Sequence, residues 1–257
     1  MKFARCRHNE SGREVQVVVR ETALHVIQGD LFEDWRETGE IYPLSEVTLL
    51  APLQPNSIIG IGQNYISAGM ERPERLPDIP LFFHKPVSSL IGHEDKIEIP
   101  IGLDYLKFEC ELAVVIGRKG KHIPIKHAPE YIFGYTIGND VSATQLTHPD
   151  GHWMLVKSGD TFTPLGPYIE TELDPYDQLI QSQLNGEMRQ QGHTGQMIYP
   201  IIGIISYLSQ YMTLQPGDVI LTGTPDGVDL MRSGDTITCS ISGIGCLNNC
   251  VVSARSI

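Results

Sequence analysis

Residues 107–117 read KFECELAVVIG, an extended stretch that carries two glutamates one residue apart. Successive side chains of a strand face opposite sides of a sheet, so we expect Glu109 and Glu111 to share one face. Cys110 and Leu112 then lie on the opposite, apolar face. Two carboxylates about 7 Å apart along a strand repel each other unless water or a cation lies between them. The stretch therefore predicts a strand whose acidic pair needs a partner.

The composition limits the class of protein. The chain has 257 residues, of which 41% are hydrophobic and 19% charged, and its formal net charge is −12. This length suffices to bury a large core. A strongly acidic chain without a basic patch disfavours nucleic acid and an acidic membrane surface as partners. The sequence has no apolar signal segment at its start and no stretch of transmembrane length, so we expect a cytoplasmic protein.

Short strand-like segments separated by turn residues extend over most of the chain. Residues 1–52 contain VQVVVR and ALHVIQG, which we interpret as a small N-terminal β module that ends at a proline-rich segment. Residues 53–257 continue with further β segments, and we expect them to form the catalytic domain. The pattern as a whole predicts a mixed, β-rich α+β fold.

Local signals predict one hairpin and two helices. Asn185 and Gly186 stand between two strand-like segments, which is the signature of a two-residue hairpin loop. Helices are predicted around 128–131 and over 200–212, with Pro200 at the first helical position of the second.

A third carboxylate stands at the end of another apolar segment. Asp140 ends YIFGYTIGND, where a strand would continue into a loop. Taken alone, it fits a turn or helix-cap residue. Together with Glu109 and Glu111 it gives three carboxylates, which suit a hard cation such as Mg²⁺ or Mn²⁺. An octahedral ion with three protein ligands keeps positions open for water or substrate, as a catalytic ion requires.

The order and spacing of several motifs resemble the fumarylacetoacetate hydrolase family. These motifs are GIGQNY at 60–65, ECELAVVIG at 109–117, GYTIGNDVSA at 134–143, KSGDTF at 157–162, NGE at 185–187 and MTLQPGDVILTGTPDGV at 212–228. The resemblance covers about 58–248. It implies a β-roll core, a homodimer, and Mg²⁺ or Mn²⁺ held by Glu109, Glu111 and Asp140.

The resemblance also implies roles for single residues. Lys157 matches a lysine that reaches the metal site, and its apparent strand context favours charge stabilisation or proton transfer over a solvated surface position. Tyr65, Gly223 and Thr224 match positions that contact the substrate. The glycine-rich TGTPDG lacks the lysine of a phosphate-binding loop, which argues against a nucleotide site.

The chain departs from the family pattern within a charged, proline-rich loop over 65–80. Family hydrolases have a histidine and a glutamate three residues apart after the NY motif, which activate water. Here Ala68 takes the place of the histidine, and Glu71 is retained as a candidate catalytic residue. We interpret the loop as a lid. His148 and His152 are alternative sources of the missing base.

A second departure concerns the binding of the substrate carboxylate. The family often has arginine and glutamine where this chain has Thr144 and Thr147, so a bidentate clamp is missing. We assign both threonines to substrate binding.

The sequence therefore predicts a metal-dependent enzyme that acts on small 2-oxo acids or enolisable 1,3-dicarbonyl compounds through a metal-bound enolate. Tautomerisation, isomerisation or decarboxylation needs only the enolate, whereas hydrolysis also needs a positioned base. Two alternatives stay open. One is a C–C hydrolase of acylpyruvates or fumarylacetoacetate, and the other is a catalytically silent protein that binds a metabolite.

Overall fold

The computed structural model describes residues 1–67, 69–71, 79–151 and 153–254. Strands dominate this part of the chain, with a few helices between them, which confirms the predicted β-rich α+β fold. The described helices include none with the length and apolar character needed to cross a lipid bilayer.

The first ten strands lie between Lys2 and Lys107. Their bounds are β1 Lys2–His8, β2 Glu14–Arg20, β3 Ala23–Gly29, β4 Trp35–Pro43, β5 Val47–Leu49, β6 Ile58–Gly62, β7 Leu81–Lys85, β8 Leu90–Ile91, β9 Lys96–Ile99 and β10 Leu106–Lys107. The later strands are β11 Cys110–Ile116, β12 Ile132–Asn139, β13 Thr163–Glu170, β14 Leu179–Leu184, β15 Glu187–His193, β16 Val219–Leu221, β17 Leu230–Met231, β18 Thr236–Ile241 and β19 Gly245–Ser253.

Two α-helices occur in the described residues, α1 over Met154–Lys157 and α2 over Ile201–Tyr211. The second confirms the predicted helix, but Pro200 is its N-cap residue rather than its first helical residue. The helix predicted around 128–131 is a 3₁₀ helix over Ile125–Tyr131, which contains Pro129. A proline has no N–H to donate, so this segment does not continue as a regular α-helix. Shorter 3₁₀ turns span Leu44–Glu46, Val87–Ser89, Thr144–Leu146 and Thr194–Gln196.

Most strands belong to one long sheet. Its strand order is β4-β3-β2-β1-β13-β12-β11-β16-β6-β7, with β5 beside β1 and β8 beside β13. A second sheet has the order β15-β14-β18-β19-β9, and β10 pairs with β17. β1 joins the N-terminal strands to the rest of the main sheet through β13, where Phe3 lies opposite Ile169. Residues 1–52 therefore extend the main sheet.

The predicted hairpin connects β14 and β15. Asn185 and Gly186 have φ values of 53° and 83°, the left-handed conformations that a type I′ turn requires. The Asn185 side chain also bonds to Asp235 and accepts the N–H of Thr236. The hairpin prediction is confirmed.

β11 is buried on both faces, and this burial gives the site its position. Phe108, Leu112 and Val114 pack against the second sheet and α2, whereas Ala113 and Val115 pack into a separate core on the other side of the main sheet. Glu111 shares the face of Ala113 and Val115 and is itself buried. The strand therefore has no water-exposed side, and Glu111 lies near its N-terminal end.

Candidate active site

The register of β11 and β12 brings the three predicted carboxylates together. The strands are antiparallel, with Cys110 opposite Asn139 and Glu111 opposite Gly138. Asp140 comes directly after β12, and its N–H donates to the Glu109 carbonyl at 2.9 Å. A third carboxylate is thereby placed beside the acidic pair by strand pairing alone.

The carboxylate oxygens of Glu109, Glu111 and Asp140 offer one ligand atom each within 4.8 Å of one another. Glu109 precedes β11 by one residue, because its N–H donates to the side chain of Asn139 at 3.0 Å instead of joining the ladder. Glu111 and Asp140 are almost fully buried, and Glu109 is slightly exposed. Converging oxygen donors of this kind fit a hard divalent cation.

Two buried lysines contact the acidic cluster. The Lys157 ammonium donates to Glu109 Oε2 at 2.7 Å and also to Asp140. The Lys85 ammonium, which has no exposed surface, donates to Asp140 Oδ1 at 2.6 Å and to the Lys157 carbonyl at 2.8 Å. Lys157 ends α1 rather than lying on a strand, so the predicted strand context was wrong.

These contacts determine the charge states. Burial acts to lower the pKa of Lys157, but the carboxylates of Asp140 and Glu109 outweigh it and raise that pKa above its ordinary value. Burial acts to raise the pKa of Asp140, and the two lysines outweigh it and lower that pKa. Burial lowers the pKa of Lys85, although Asp140 opposes the shift. Lys157 and Asp140 are therefore a charged pair at neutral pH.

Glu111 has no lysine partner among the contacts of the described residues. Burial, followed by repulsion from Asp140 and Glu109, raises the pKa of its carboxyl well above the ordinary value. Its Oε2 accepts the N–H of Gly223 at 2.7 Å. A buried carboxylate beside two others is stabilised by a cation, so the donor set fits a divalent metal ion.

The loop that follows β16 forms the opposite side of the site. β16 pairs with β11 on the edge away from β12, with Leu221 opposite Ala113. The pairing continues into the loop, where Thr224 Oγ1 donates to the Cys110 carbonyl at 2.6 Å. Gly223 has a φ of 96°, and a Cβ on it would lie 2.8 Å from the Cβ of Asn64, so the conformation of the loop and its close approach to Asn64 require glycine.

A buried glutamine fixes this loop against β11. The Gln190 amide donates to Thr224 Oγ1 at 2.7 Å and to the Pro225 carbonyl at 2.8 Å, and its carbonyl accepts the Cys110 N–H at 3.0 Å. Gln190 is fully buried on β15. It therefore connects the second sheet to both sides of the site.

A cavity of about 410 Å³ opens over the carboxylates. The predicted residues Thr144, Thr147 and Thr224 line it together with Lys157 and the three carboxylates. Further lining residues are Ile61, Gly62, Gln63, Phe83, Lys107, Ser142, Trp153, Val156, Pro225, Asp226, Gly227 and Val228. The cavity is thus polar near the carboxylates and apolar toward Phe83 and Trp153.

Other predicted residues lie outside the described cavity lining. Tyr65 is buried and pairs with Met197 through a single backbone bridge, and burial raises the pKa of its phenol. Glu71 is exposed. The described residues do not include Ala68, 72–78 or His152. The lid and the replacement of the missing base by another histidine therefore stay predictions.

Lys85 in FFHKP has a motif position near the pocket of the family it resembles, and its contact with Asp140 agrees with that position. Sequence reasoning missed two other residues that contact the site, Lys107 and Gln190, for which the sequence carries no comparable signal. His84, the neighbour of Lys85 on β7, is exposed.

Comparison with known proteins identifies the family. The family model described as Fumarylacetoacetate (FAA) hydrolase C-terminal matches residues 57–252. The chain belongs to the fumarylacetoacetate hydrolase family. The resemblance of the motifs is therefore confirmed, and a second family model, described as Rv2993c-like, N-terminal, matches residues 1–52.

Similar members of the fumarylacetoacetate hydrolase family include one with a named activity in humans. The chain is 40% identical over 225 residues to the human protein named oxaloacetate tautomerase FAHD2A, mitochondrial, which covers 82% of this chain and 72% of that protein.

Solved structures of the family share the fold. The 5-carboxymethyl-2-hydroxymuconate delta-isomerase of Mycobacterium smegmatis superposes with a TM-score of 0.92 at 40% identity, covering 99% of this chain and 100% of that one. Maleylpyruvate hydrolase of Sphingobium sp. SYK-6, in complex with manganese(II) and pyruvate, gives a TM-score of 0.81 at 28% identity, with 99% and 100% covered. The family thus includes isomerases, a tautomerase and hydrolases, and one similar structure contains a divalent metal.

Proposed function

We propose that this protein is a divalent-metal-dependent tautomerase that interconverts the keto and enol forms of a small 2-oxo acid, with Mg²⁺ or Mn²⁺ as its ion. One observation carries the proposal. Glu109, Glu111 and Asp140 converge on one cavity beside the protonated Lys157. The human relative named oxaloacetate tautomerase supports the choice of reaction and suggests oxaloacetate as the first substrate to test.

The proposed ion would bind to the three carboxylates. It would supply positive charge next to the 2-oxo oxygen, where negative charge develops when the substrate loses a proton at C3. The need for such charge is greatest beside Glu111, which makes no ion pair with a described lysine.

Lys157 has a separate part in this mechanism. Because its pKa is raised by Asp140 and Glu109, it stays protonated at neutral pH and donates a hydrogen bond rather than accepting a proton. We assign it the role of stabilising the enolate oxygen and protonating it to complete the enol. The proton that leaves C3 passes to solvent water in the cavity, and Lys157 regains its own proton from the same water. Lys85 holds Asp140 in place from behind and has no access to the cavity, so it is a positioning residue.

The remaining cavity residues bind and orient the substrate. The Thr224 hydroxyl is fixed by Gln190 and by the Cys110 carbonyl, which keeps the loop close to the carboxylates. Phe83 and Trp153 form the apolar wall of the cavity.

The test is a direct comparison of reactions. The wild-type protein is incubated with oxaloacetate and Mg²⁺ or Mn²⁺, and enol absorbance is followed together with pyruvate release. We expect fast tautomerisation that is lost on chelation, and a loss of about 10²–10³-fold in Lys157→Met. The exposed Lys126 supplies the matched control, Lys126→Met. Metal-independent activity, or equal activity of Lys157→Met, would refute the proposal.

The same assay, repeated with an acylpyruvate and combined with a measurement of metal binding, separates the alternative functions. Pyruvate release that keeps pace with enol loss identifies a decarboxylase. Cleavage of an acylpyruvate identifies a hydrolase, an activity for which the structural relative maleylpyruvate hydrolase gives a precedent. No histidine occurs among the described residues that line the cavity, so we expect this activity to be weak. Metal binding without turnover identifies a silent metabolite-binding protein.

We also propose that the protein is a homodimer that associates through the surface around β7. This edge strand of the main sheet exposes Leu81 and Phe82, and α1 next to it exposes Met154 and Leu155 at 76% and 71%. Leu81, Phe82 and Met154 border a further cavity of about 850 Å³ that is lined mostly by apolar residues. Exposed apolar patches of this kind mark association sites.

Light scattering after size exclusion tests the dimer. We expect Leu155→Glu to give a monomer, because a charge in an apolar interface is not compensated. The control Ile41→Glu places the same charge on β4, at the opposite end of the sheet, where Ile41 is also exposed. A monomeric wild type, or dissociation only of Ile41→Glu, would contradict the proposal.

A further inference from the structure

Lys107 is a cation at the cavity that the mechanism does not use. Its ammonium lies 3.0 Å from Glu109 Oε1, and its side chain is 29% exposed. Lys157 contacts the other oxygen of Glu109 and is only 8% exposed. Lys157 therefore belongs to the buried cluster, whereas Lys107 lies at the outer side of the cluster, in contact with solvent.

The backbone fixes Lys107 next to the segment that carries two of the predicted substrate contacts. Lys107 donates its N–H to the Ser142 carbonyl at 2.8 Å and accepts the Ser142 N–H at 2.9 Å. Residues 142–147 continue from this bridge, and Thr144 and Thr147 line the same cavity. The ammonium and the two hydroxyls therefore lie along one wall of the cavity.

This wall needs a positive charge if the substrate has a second carboxylate. Glu109, Glu111, Asp140 and Asp226 all line the cavity and repel an anion. No arginine is found among the described lining residues, and the threonines provide neutral hydroxyls only. An ammonium has three donors, and the ion pair with Glu109 engages one side of the Lys107 ammonium. The other donors of Lys107 remain available for a ligand.

We propose that Lys107 binds the distal carboxylate of a 2-oxo dicarboxylic acid and selects it over neutral or monocarboxylic analogues. The inference rests on the proposed function, which places the 2-oxo end of the substrate at the carboxylate cluster. It deepens that function by naming the substrate class. It also assigns a cation to the wall where the family arginine is replaced by Thr144.

Binding of unreactive ligands tests the inference without turnover. Malate and lactate share a 2-hydroxy acid group and differ in the second carboxylate, and Trp153 in the cavity reports their binding by fluorescence. With saturating Mn²⁺, we expect Lys107→Gln to weaken malate binding relative to lactate binding by about tenfold or more, and Lys107→Arg to restore it. Lys96→Gln, on the exposed side of β9, is the control.

Kinetics provide a second measurement. The ratio of kcat/KM for oxaloacetate to that for its 4-amide is expected to fall by about tenfold in Lys107→Gln, mainly through KM. Mn²⁺ affinity is measured in the same variant, because Lys107 contacts Glu109. Equal losses for malate and lactate, with or without lost Mn²⁺ binding, would overturn the inference and leave Lys107 as a support for Glu109.

The outcomes distinguish this inference from the proposed function. Tautomerisation by the wild type with an unchanged substrate ratio in Lys107→Gln refutes the inference alone. Selective loss of malate binding in a protein that does not tautomerise oxaloacetate refutes the proposed function alone.

Discussion

Replacement of Lys85 by methionine tests how the buried charges depend on each other. Lys85 has no exposed surface and donates to Asp140, to the Val141 carbonyl and to the Lys157 carbonyl. Methionine fills similar volume but leaves Asp140 with Lys157 as its remaining ammonium partner. Both carbonyls also lose a donor. Loss of one partner of a buried ion pair costs about 3–5 kcal/mol of folding free energy. Because Asp140 keeps Lys157 as a partner, we expect Lys85→Met to cost about 3 kcal/mol.

A chain of this size loses about 2–4 °C of Tm per kcal/mol, so Lys85→Met is expected to lower Tm by about 6–12 °C. The assay is thermal unfolding followed by circular dichroism in the presence of a chelator. Saturating Mn²⁺ should recover part of the loss, because the ion supplies positive charge next to Asp140 and binds only the folded chain.

The control is Lys121→Met, which replaces an exposed lysine. It should change Tm little, since exposed charges contribute little to stability. A Lys85→Met protein that unfolds at the same temperature as Lys121→Met would refute the reasoning. The negative charge of Asp140 would then not depend on Lys85 for its stabilisation.

Three further changes test other contacts of the site. Glu111→Gln is expected to weaken Mn²⁺ binding by about 100-fold or more, since even indirect partners of a metal ligand contribute about 10–100-fold; equal affinity by electron paramagnetic resonance would contradict it. Gly223→Ala should destabilise the fold by about 1–3 kcal/mol more than Gly102→Ala, because both glycines have positive φ but only the first would meet another residue, at 2.8 Å from Asn64. Gln190→Leu should lower the free energy of unfolding in urea by about 2 kcal/mol or more, because buried polar groups lose their partner; an unchanged midpoint would rule this out.

The parts of the site that could be predicted are those with local signals. The two-residue period of a strand places Glu109 and Glu111 on one face, and the end of an apolar segment marks Asp140 as the first residue beyond a strand. The structure brings these three side chains together through strand pairing. Asn185 and Gly186 likewise carry their turn conformation in their own residue types.

The parts that could not be predicted depend on contacts distant in sequence. β7 reverses the usual pattern, since Leu81 and Phe82 are exposed while Lys85 is buried. The acceptors of the Lys85 ammonium, on Asp140, Val141 and Lys157, lie 55 to 72 residues away in the sequence. α1 has four residues, too few for a helical period, so Lys157 was assigned to a strand. Gln190 stands in a polar strand, and its partners lie 80 and 34 residues away, at Cys110 and Thr224.

The junction between β1 and β13 has a consequence for solubility. β13 follows β12 in the sheet order, and without the N-terminal strands part of its outer edge would present unpaired N–H and C=O groups. Such an edge pairs readily with the same edge of another molecule. The N-terminal strands therefore cover this edge of the main sheet against edge-to-edge aggregation, in addition to any part they have in the stability of the fold.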